Sequence, residues 1–210
     1  MWVVKLGGSL QFSDQLPMWL SALTAHGGGG GVIVPGGGAF AEQVRQSQQY
    51  WHFDDSTAHH MALLAMDQYG LLLQGMEKKL DVARSLDEIS AILKAGRVAI
   101  WLPTKMVMQN GDIMANWDVS ADSLAAWLAS SLQAQRLFLV KSVELGAGLY
   151  SVDDLIQRGL LDRAFNRTSE RLGCDVIWLY RDQHSRFESI LNGDSFSVAR
   201  LSIGNHLAIA

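Results

Sequence analysis

Cysteine, long apolar runs and clusters of basic charge are all scarce in this 210-residue chain, and each shortage narrows the range of functions. The one cysteine, Cys174, cannot form an internal disulfide and fits a reducing, cytoplasmic compartment. The net charge is −4 and there is no polybasic run, which argues against broad binding to nucleic acid. No apolar stretch approaches the roughly 20 residues of a membrane-spanning helix, and the first residues lack the order of a signal peptide.

Short apolar runs alternate with longer amphipathic ones along the whole chain, without a visible domain linker. The short runs are mostly β-branched or aromatic, as in strands buried on both faces. This alternation predicts an α/β sandwich with a mostly parallel sheet, in one domain over residues 1–210. The predicted strands span 2–6, 32–34, 97–102, 137–140, 175–179 and 206–209, and the predicted helices span 39–50, 58–74, 86–95, 121–132 and 165–172.

Two of the predicted strands end in glycine turns, and these turns are the most informative feature of the chain. Glycines let backbone N–H groups turn towards an anion, and a lysine adds positive charge beside them. The carboxyl ends of parallel strands meet at one edge of a sheet, so both turns should converge there. Two anions bound close together would suit phosphoryl transfer between a donor and an acceptor. The first turn contains Lys5, Gly7, Gly8 and Ser9, and the second contains Gly36, Gly37 and Gly38.

Other interpretations of the two turns stay open. The first turn lacks the spacing of a Walker P-loop, and an ordinary tight turn would also use its glycines. The second turn begins a G-x-G-x-x-A pattern at residues 36–41, which is also found in dinucleotide-binding Rossmann folds. Asp54 and Asp55 lie near the position of the ribose-binding acid in that pattern, but residues 50–53 make a poor strand.

His59 and His60 begin a predicted helix beside the pair of aspartates. Either histidine could contact a phosphate or share a proton, and solvated residues at a helix start are the simpler explanation. Their spacing matches no known pattern of metal ligands.

Asp118 and Asp122 lie four residues apart at the start of another predicted helix, where Ser120 is a plausible N-cap. Two carboxylates exceed what a cap needs, and near a phosphate site they could orient lysines or hold Mg²⁺ through water. Lys141 follows a buried strand and lies at the rim of the sheet. A lysine there is either a site residue or an ordinary solvated side chain.

The chain resembles the amino acid kinase family, which includes acetylglutamate, aspartate, uridylate and isopentenyl phosphate kinases. The resemblance covers nearly the whole chain with its elements in the right order. The segments that carry it are VKLGGSL at 4–10, VPGGG at 34–38, DVSADSLAA at 118–126, VKSV at 140–143, GLYS at 148–151, and the ends 190–193 and 203–204.

The resemblance implies a three-layer αβα sandwich with an open, mostly parallel sheet. It implies a kinase that uses ATP and Mg²⁺, with its acceptor side at about residues 1–110 and its nucleotide side at about 111–210. Lys5 would bridge the transferring phosphoryl group and Asp122 would position lysines. The other implied sites are Gly7, Gly8 and Ser9 on the ATP phosphates, Gly36, Gly37, Gly38, His59, His60 and Asp118 on the acceptor, and Ser142, Val143, Gly148 and Tyr150 along the nucleotide.

The chain also departs from the family pattern. Family members usually carry Thr-Asp or Ser-Asp where this chain has Lys141 and Ser142, and many use a second catalytic lysine in the following loop. Residues 151–174 contain four arginines and no lysine. Lys141 takes the role of that second lysine, or an arginine does, or the step is done differently.

Residues 59–70 look most similar to the branch of the family that contains the aminomethylfuran phosphate kinase of methanofuran biosynthesis. In that branch the acceptor is itself a phosphate and the product is a diphosphate. The alternatives are a carboxylate kinase, a nucleoside monophosphate kinase, or a non-catalytic protein that stores oxyanions on the same fold. A homodimer or higher homo-oligomer is common in the family, and the apolar helix around residues 61–73 would serve either as interface or as core.

Overall fold

The computed structural model describes residues 1–26, 28, 30–193 and 198–203, and within them the chain forms one eight-stranded sheet. The strands are β1 Trp2–Leu6, β2 Gly31–Pro35, β3 Leu80–Ala83, β4 Val98–Trp101, β5 Arg136–Lys141, β6 Gly148–Ser151, β7 Asp175–Tyr180 and β8 Ala199–Ser202. The helices are α1 Gln15–His26, α2 Gly38–Trp51, α3 Asp55–Met76, α4 Leu86–Lys94, α5 Thr104–Met108, α6 Ala121–Ser131, α7 Val152–Gln157, α8 Phe165–Ser169 and α9 Phe187–Leu191.

The sheet is open and mostly parallel, as the sequence predicts. Its spatial order is β3-β4-β2-β1-β5-β7-β8-β6, and β8 runs antiparallel to β7 while β6 pairs with β8 in parallel. The register places Lys5 of β1 between Val34 of β2 and Leu139 of β5. The carboxyl ends of these three central strands therefore form a single edge, where the glycine turns begin.

Helices cover both faces of the sheet, which gives the three layers of an αβα sandwich. Successive residues of β1 face opposite ways: Val3 belongs to an apolar cluster that includes residues of α4, α6 and α8, whereas Val4 belongs to a second cluster that includes residues of α1 and α9. The long helix α3 contributes Leu63 to the first cluster and Tyr69 to the second. Among the described residues, no helix combines the length and apolar character needed to cross a membrane.

The predicted elements that are confirmed are the long or strongly apolar ones. Five of the six predicted strands coincide with β1, β2, β4, β5 and β7, and the sixth, at 206–209, lies outside the described residues. Helix α3 begins at Asp55, before the predicted start, because Asp54 accepts a hydrogen bond from the Thr57 N–H (2.8 Å) and caps it. The elements that no prediction bounded are the helix α1 and a set of short or edge elements, namely β3, β6, β8, α5, α7 and α9.

Candidate active site

The two glycine turns pack directly against each other at the ends of β1 and β2. The Gly36 N–H donates to the Leu6 carbonyl (2.9 Å). A Cβ at Gly8 would lie 2.3 Å from the Gly38 nitrogen, and a Cβ at Gly36 would lie 2.5 Å from the Gly8 nitrogen. Two backbones can approach this closely only where glycine leaves room, so packing alone already requires Gly8 and Gly36.

Gln11 ties the first turn to the start of α2. Its side-chain oxygen accepts a hydrogen bond from the Ala39 N–H (2.7 Å). Gly38 adopts φ +56°, and a Cβ there would lie 2.3 Å from the same oxygen. The second turn thus leads into a helix N-terminus, which favours negative charge. Ser9 is exposed and lies in a 3₁₀ helix of one turn, Gly8–Leu10.

Three charged side chains meet beside the turns, although each comes from a different element. Lys5 belongs to β1, Asp122 to the first turn of α6, and Lys141 to the end of β5. The Lys5 Nζ lies 3.0 Å from Asp122 Oδ1, and the Lys141 Nζ lies 2.5 Å from Asp122 Oδ2. The Lys141 ammonium also donates to the Leu160 carbonyl (2.6 Å). One carboxylate therefore holds two ammonium groups, and we call these three residues the lysine–aspartate triad.

Burial and mutual charge set the protonation of the lysine–aspartate triad. Lys5 is 7% exposed and Asp122 is 3% exposed. Burial lowers the pKa of Lys5 below the usual lysine value, and the positive charge of Lys141 adds to this while Asp122 opposes it. Burial by itself would raise the pKa of Asp122, but Lys141 and Lys5 outweigh it and hold that pKa below its ordinary value. Asp122 is consequently ionised at neutral pH.

Asp162, which no local sequence pattern marks, supports the start of α6. Its carboxylate accepts hydrogen bonds from the hydroxyl groups of Ser120 and Ser123. Asp162 follows α7 in an irregular loop, and its partners lie about 40 positions earlier in the chain. Only the folded chain reveals this contact.

A cavity of about 240 Å³ opens between Lys5, the second glycine turn, α2 and α3. Its polar lining includes Glu42 and Arg45 of α2 and His59 of α3. The remaining walls are mostly apolar, with Leu63 and Met66 among them. A pocket with apolar walls and a few convergent polar groups is the usual form of a small-molecule site. We call it the acceptor cavity.

His59 and His60 behave differently, although they are neighbours in sequence. His59 is 5% exposed and lines the acceptor cavity, whereas His60 is exposed. The Nε2 of His59 is buried and has no hydrogen-bond partner among the described residues. Burial lowers the pKa of His59 below the usual histidine value, while the backbone of Asn116 partly opposes the shift. A buried polar atom without a partner calls for an explanation, and a ligand or an ordered water in the adjoining cavity would supply the missing partner.

Trp117 forms one wall of the acceptor cavity and is held from two sides. The guanidinium carbon of Arg45 lies 4.0 Å from the centre of the indole ring. The indole N–H donates to the side-chain oxygen of Gln48 (2.6 Å). Stacking and a hydrogen bond together fix the plane of the ring. These three side chains were not among the predicted site residues, because their spacing forms no recognisable motif.

Asp118 lies away from the lysine–aspartate triad and is not part of the lining of the acceptor cavity. Its carboxylate lies 3.7 Å from the exposed guanidinium of Arg163. The other predicted acceptor residue outside the cavity lining is His60. His59 and the second glycine turn thus line one cavity, whereas Asp118 and His60 are outside its lining.

The predicted nucleotide-side residues lie around the ends of β5 and β6. The Val143 carbonyl accepts a hydrogen bond from the indole N–H of Trp178 (2.9 Å), and the Tyr150 hydroxyl donates to the Gly146 carbonyl (3.1 Å). Ser142 is exposed, and Gly148 begins the exposed strand β6.

Solved structures of uridylate kinases share this fold. The structure of uridylate kinase from Archaeoglobus fulgidus superposes with a TM-score of 0.72 at 16% identity, over 96% of this chain and 99% of that one. The UMP kinase from Bacillus anthracis gives a TM-score of 0.71 at 13% identity, over 96% and 95%. At these identities the similarity establishes the fold alone.

The amino acid kinase family model matches residues 1–156, and this chain belongs to that family. Over 155 residues the chain is 29% identical to the (5-(aminomethyl)furan-3-yl)methyl phosphate kinase of Methanocaldococcus jannaschii, covering 71% of this chain and 68% of the relative. The predicted family and its phosphotransferase class are confirmed. The protein is a small-molecule kinase.

Proposed function

We propose that this chain is an ATP-dependent kinase that phosphorylates a small phosphate-bearing acceptor, such as an aminomethylfuran phosphate, to the diphosphate. The observation that carries the proposal is the junction of the lysine–aspartate triad with the acceptor cavity. Lys5 belongs to both, and the same cavity is lined by the second glycine turn and by His59, whose Nε2 is buried without a partner among the described residues. Phosphoryl transfer depends mostly on positioning and charge neutralisation, which are what these groups supply.

In this proposal Lys5 and Lys141 neutralise the transferring phosphoryl group, and Asp122 keeps both ammonium groups directed at it. A bound phosphate would raise the lowered pKa of Lys5 and secure its charge. Bound ATP would supply the phosphoryl group that passes to an oxygen of the acceptor phosphate, with ADP as the other product and Mg²⁺ neutralising the phosphates. The described residues contain no group of three or more His, Cys, Asp or Glu side chains that could hold a metal, so Mg²⁺ would arrive with the nucleotide.

The residues proposed to contact the nucleotide surround the ends of β1, β5 and β6. The glycine turn after β1 offers backbone N–H groups to the phosphates, next to the ammonium of Lys5. The loop after β5 is fixed by Trp178 through the Val143 carbonyl, which gives the nucleotide a firm border. The proposed nucleotide-binding residues are Gly7, Gly8, Ser9, Ser142, Val143, Gly148 and Tyr150.

The size and polarity of the acceptor cavity favour a small phosphate over a nucleoside monophosphate. Its volume of about 240 Å³ is below the roughly 300–1,000 Å³ of pockets for drug-sized ligands. The second glycine turn and His59 suit the phosphate of the acceptor, and the aromatic side chain of Trp117 in the lining suits a heterocycle. The relative from Methanocaldococcus jannaschii, a kinase named for an aminomethylfuran phosphate, supports the same acceptor class.

Glu42 gives the proposed acceptor a second point of recognition. It is the one carboxylate among the described residues that line the acceptor cavity. No hydrogen bond or ion pair within the described part of the chain occupies this carboxylate. An aminomethyl group is an ammonium at neutral pH, as lysine is. We therefore assign Glu42 to the ammonium end of the acceptor and the lysine–aspartate triad to its phosphate end.

We also propose that α3 forms the interface of a homodimer. Met61, Leu64, Gln68 and Leu71 recur at the three–four spacing of a helix–helix seam. The three apolar members are 36%, 43% and 47% exposed, and the seam carries no charge. A second copy of the uncharged seam is a matching partner. Sedimentation should give twice the chain mass for the wild type and one chain mass for Leu64→Lys, with Leu86→Lys on α4 as control.

The deciding experiment measures ADP release from Mg-ATP with carboxylates, nucleoside monophosphates, and alcohol or furan phosphates as acceptors. Turnover of a furan phosphate that disappears in Lys5→Ala is the expected result. Lys94→Ala, which removes an exposed ammonium from α4, should leave the rate within twofold and serves as the matched control.

Other results would assign the same fold differently. Turnover restricted to a carboxylate or to a nucleoside monophosphate would replace the proposed acceptor. If the folded protein released no ADP with any acceptor and co-purified with an oxyanion such as molybdate, an anion-binding protein would be favoured over an enzyme.

A further inference from the structure

Asp162 lies beside the lysine–aspartate triad, where both of its carboxylate oxygens accept hydrogen bonds. Its Oδ2 accepts from the Ser120 hydroxyl (2.5 Å), the Ser120 N–H (3.1 Å) and the Ser123 N–H (3.0 Å). Its Oδ1 accepts from the Ser123 hydroxyl. All of these donors flank Asp122 at the first turn of α6. One carboxylate from a distant loop thus fixes the backbone on both sides of Asp122.

The same loop also holds Lys141. The Lys141 Nζ donates to the carbonyl of Leu160, two residues before Asp162. Residues 160–162 therefore contact the start of α6 on one side and the second lysine on the other. Any shift of this loop would move Asp122 and Lys141 relative to each other.

From these contacts we propose that Asp162 is a positioning residue, which sets the geometry of the lysine–aspartate triad by fixing the start of α6. It touches neither nucleotide nor acceptor in this role. The expected effect of Asp162 on the reaction rate rests on the proposed kinase function. The expected effect of Asp162 on the geometry of the lysine–aspartate triad does not depend on any substrate.

A purely capping role explains these contacts less well. Ser120 already caps α6, because its hydroxyl accepts from the Asp122 N–H (3.3 Å). Burial and the nearby negative charge of Asp122 raise the pKa of Asp162, so keeping this second carboxylate here is electrostatically unfavourable. Unfavourable placements of this kind concentrate at functional sites. Correct placement of the lysine–aspartate triad is the gain that offsets it.

The kinetic test compares Asp162→Asn and Ser123→Ala with the wild type. Asparagine has nearly the same shape but replaces one acceptor oxygen with a donor, which conflicts with the serine donors. We expect kcat to fall roughly tenfold to hundredfold, with KM for both substrates within about twofold, because small misplacements of catalytic groups cost rate. Asp154→Asn, a surface carboxylate on α7 paired with Arg158, is the matched control and should stay near the wild type.

A second measurement does not depend on turnover. In protein labelled with ¹⁵N-lysine, the Nζ resonances of Lys5 and Lys141 should shift in Asp162→Asn and stay in place in Asp154→Asn. Unchanged resonances, or a loss of thermal stability with wild-type kcat, would overturn the positioning role. If Asp162→Asn does not fold, Ser123→Ala decides by the same two measurements. A wild type with no turnover but shifted resonances in the variant would refute the proposed function and leave this inference standing.

Discussion

This kinase is built differently over residues 1–110, where we propose the acceptor side together with the first glycine turn, and over residues 111–210, where we propose the rest of the nucleotide side. On the acceptor side, the turns after β1 and β2 pack backbone against backbone, and β1 and β2 are fully buried. On the nucleotide side, β6 is largely exposed and the loop after β5 is held by side-chain hydrogen bonds. Backbone packing tolerates almost no added volume, whereas a side-chain contact can be weakened gradually. The two sides should therefore respond to mutation with very different severity.

Adding one methyl group on the acceptor side should have the largest effect. In Gly8→Ala the new Cβ would lie 2.3 Å from the Gly38 nitrogen, so the two turns must separate. We expect kcat/KM to fall roughly hundredfold, because a shift of about 1 Å in a catalytic site has that cost. Overpacking should also reduce the free energy of unfolding by about 1–3 kcal/mol, measured by urea denaturation.

The matched change in open space is Gly75→Ala in α3, where a Cβ meets no atom within 4 Å. It should leave activity intact and raise stability by at most about 0.5–1 kcal/mol, since alanine is a better helix former than glycine and this glycine lies in the last turn of the helix. An active Gly8→Ala enzyme would show that the close approach of the turns has no functional importance.

Glu42→Gln tests a side-chain contact within the acceptor side and should have a smaller, more selective effect. The measurement is kcat/KM for an aminomethylfuran phosphate relative to its analogue with a methyl group in place of the aminomethyl group. Loss of a charged hydrogen bond should reduce that ratio roughly tenfold. Glu170→Gln, which makes the same charge change on an exposed residue outside the cavity, should not alter the ratio. Equal losses on both acceptors in Glu42→Gln would contradict the ammonium assignment.

The protonation of Lys5 connects the two sides and should appear in the pH profile. Burial lowers the pKa of Lys5, and the proposed role needs the charged form. In the free enzyme, kcat/KM should therefore decline as the pH rises through a value below the usual lysine range. Arginine stays charged at these pH values, so the normalised profile of Lys5→Arg should lose this decline. A profile with the same alkaline limb in both proteins would assign the limb to another group.

Sequence patterns predicted features with strong local constraints better than contacts between distant segments, for a physical reason. Lys5 and the glycine turns belong to apolar strands and close backbone contacts, which impose strong local constraints on residue type. The hydrogen bonds of Asp162 and the place of Glu42 in the cavity lining arise only after distant elements have packed, and neither residue has a local pattern. Asp118 stays a prediction: a carboxylate at a helix start resembles a site residue, and the structure places it 3.7 Å from the exposed guanidinium of Arg163.

The smallest effect is expected from Trp178→Phe, which weakens the nucleotide side without touching the acceptor side. Phenylalanine keeps an aromatic ring near Lys141, whose Nζ lies 5.2 Å from the indole, but removes the hydrogen bond to the Val143 carbonyl. A lost neutral hydrogen bond of about 1 kcal/mol predicts a roughly fivefold higher KM for ATP, with little change for the acceptor.

Trp101→Phe in β4 is the matched control, because that buried indole donates to the Met106 sulfur (3.2 Å) far from the nucleotide side. Both variants should lose similar stability, and only Trp178→Phe should change the KM for ATP. The different construction of the two sides suggests that they are independent. Equal kinetic effects of the two variants would contradict this and would mean that the sides are coupled through the sheet.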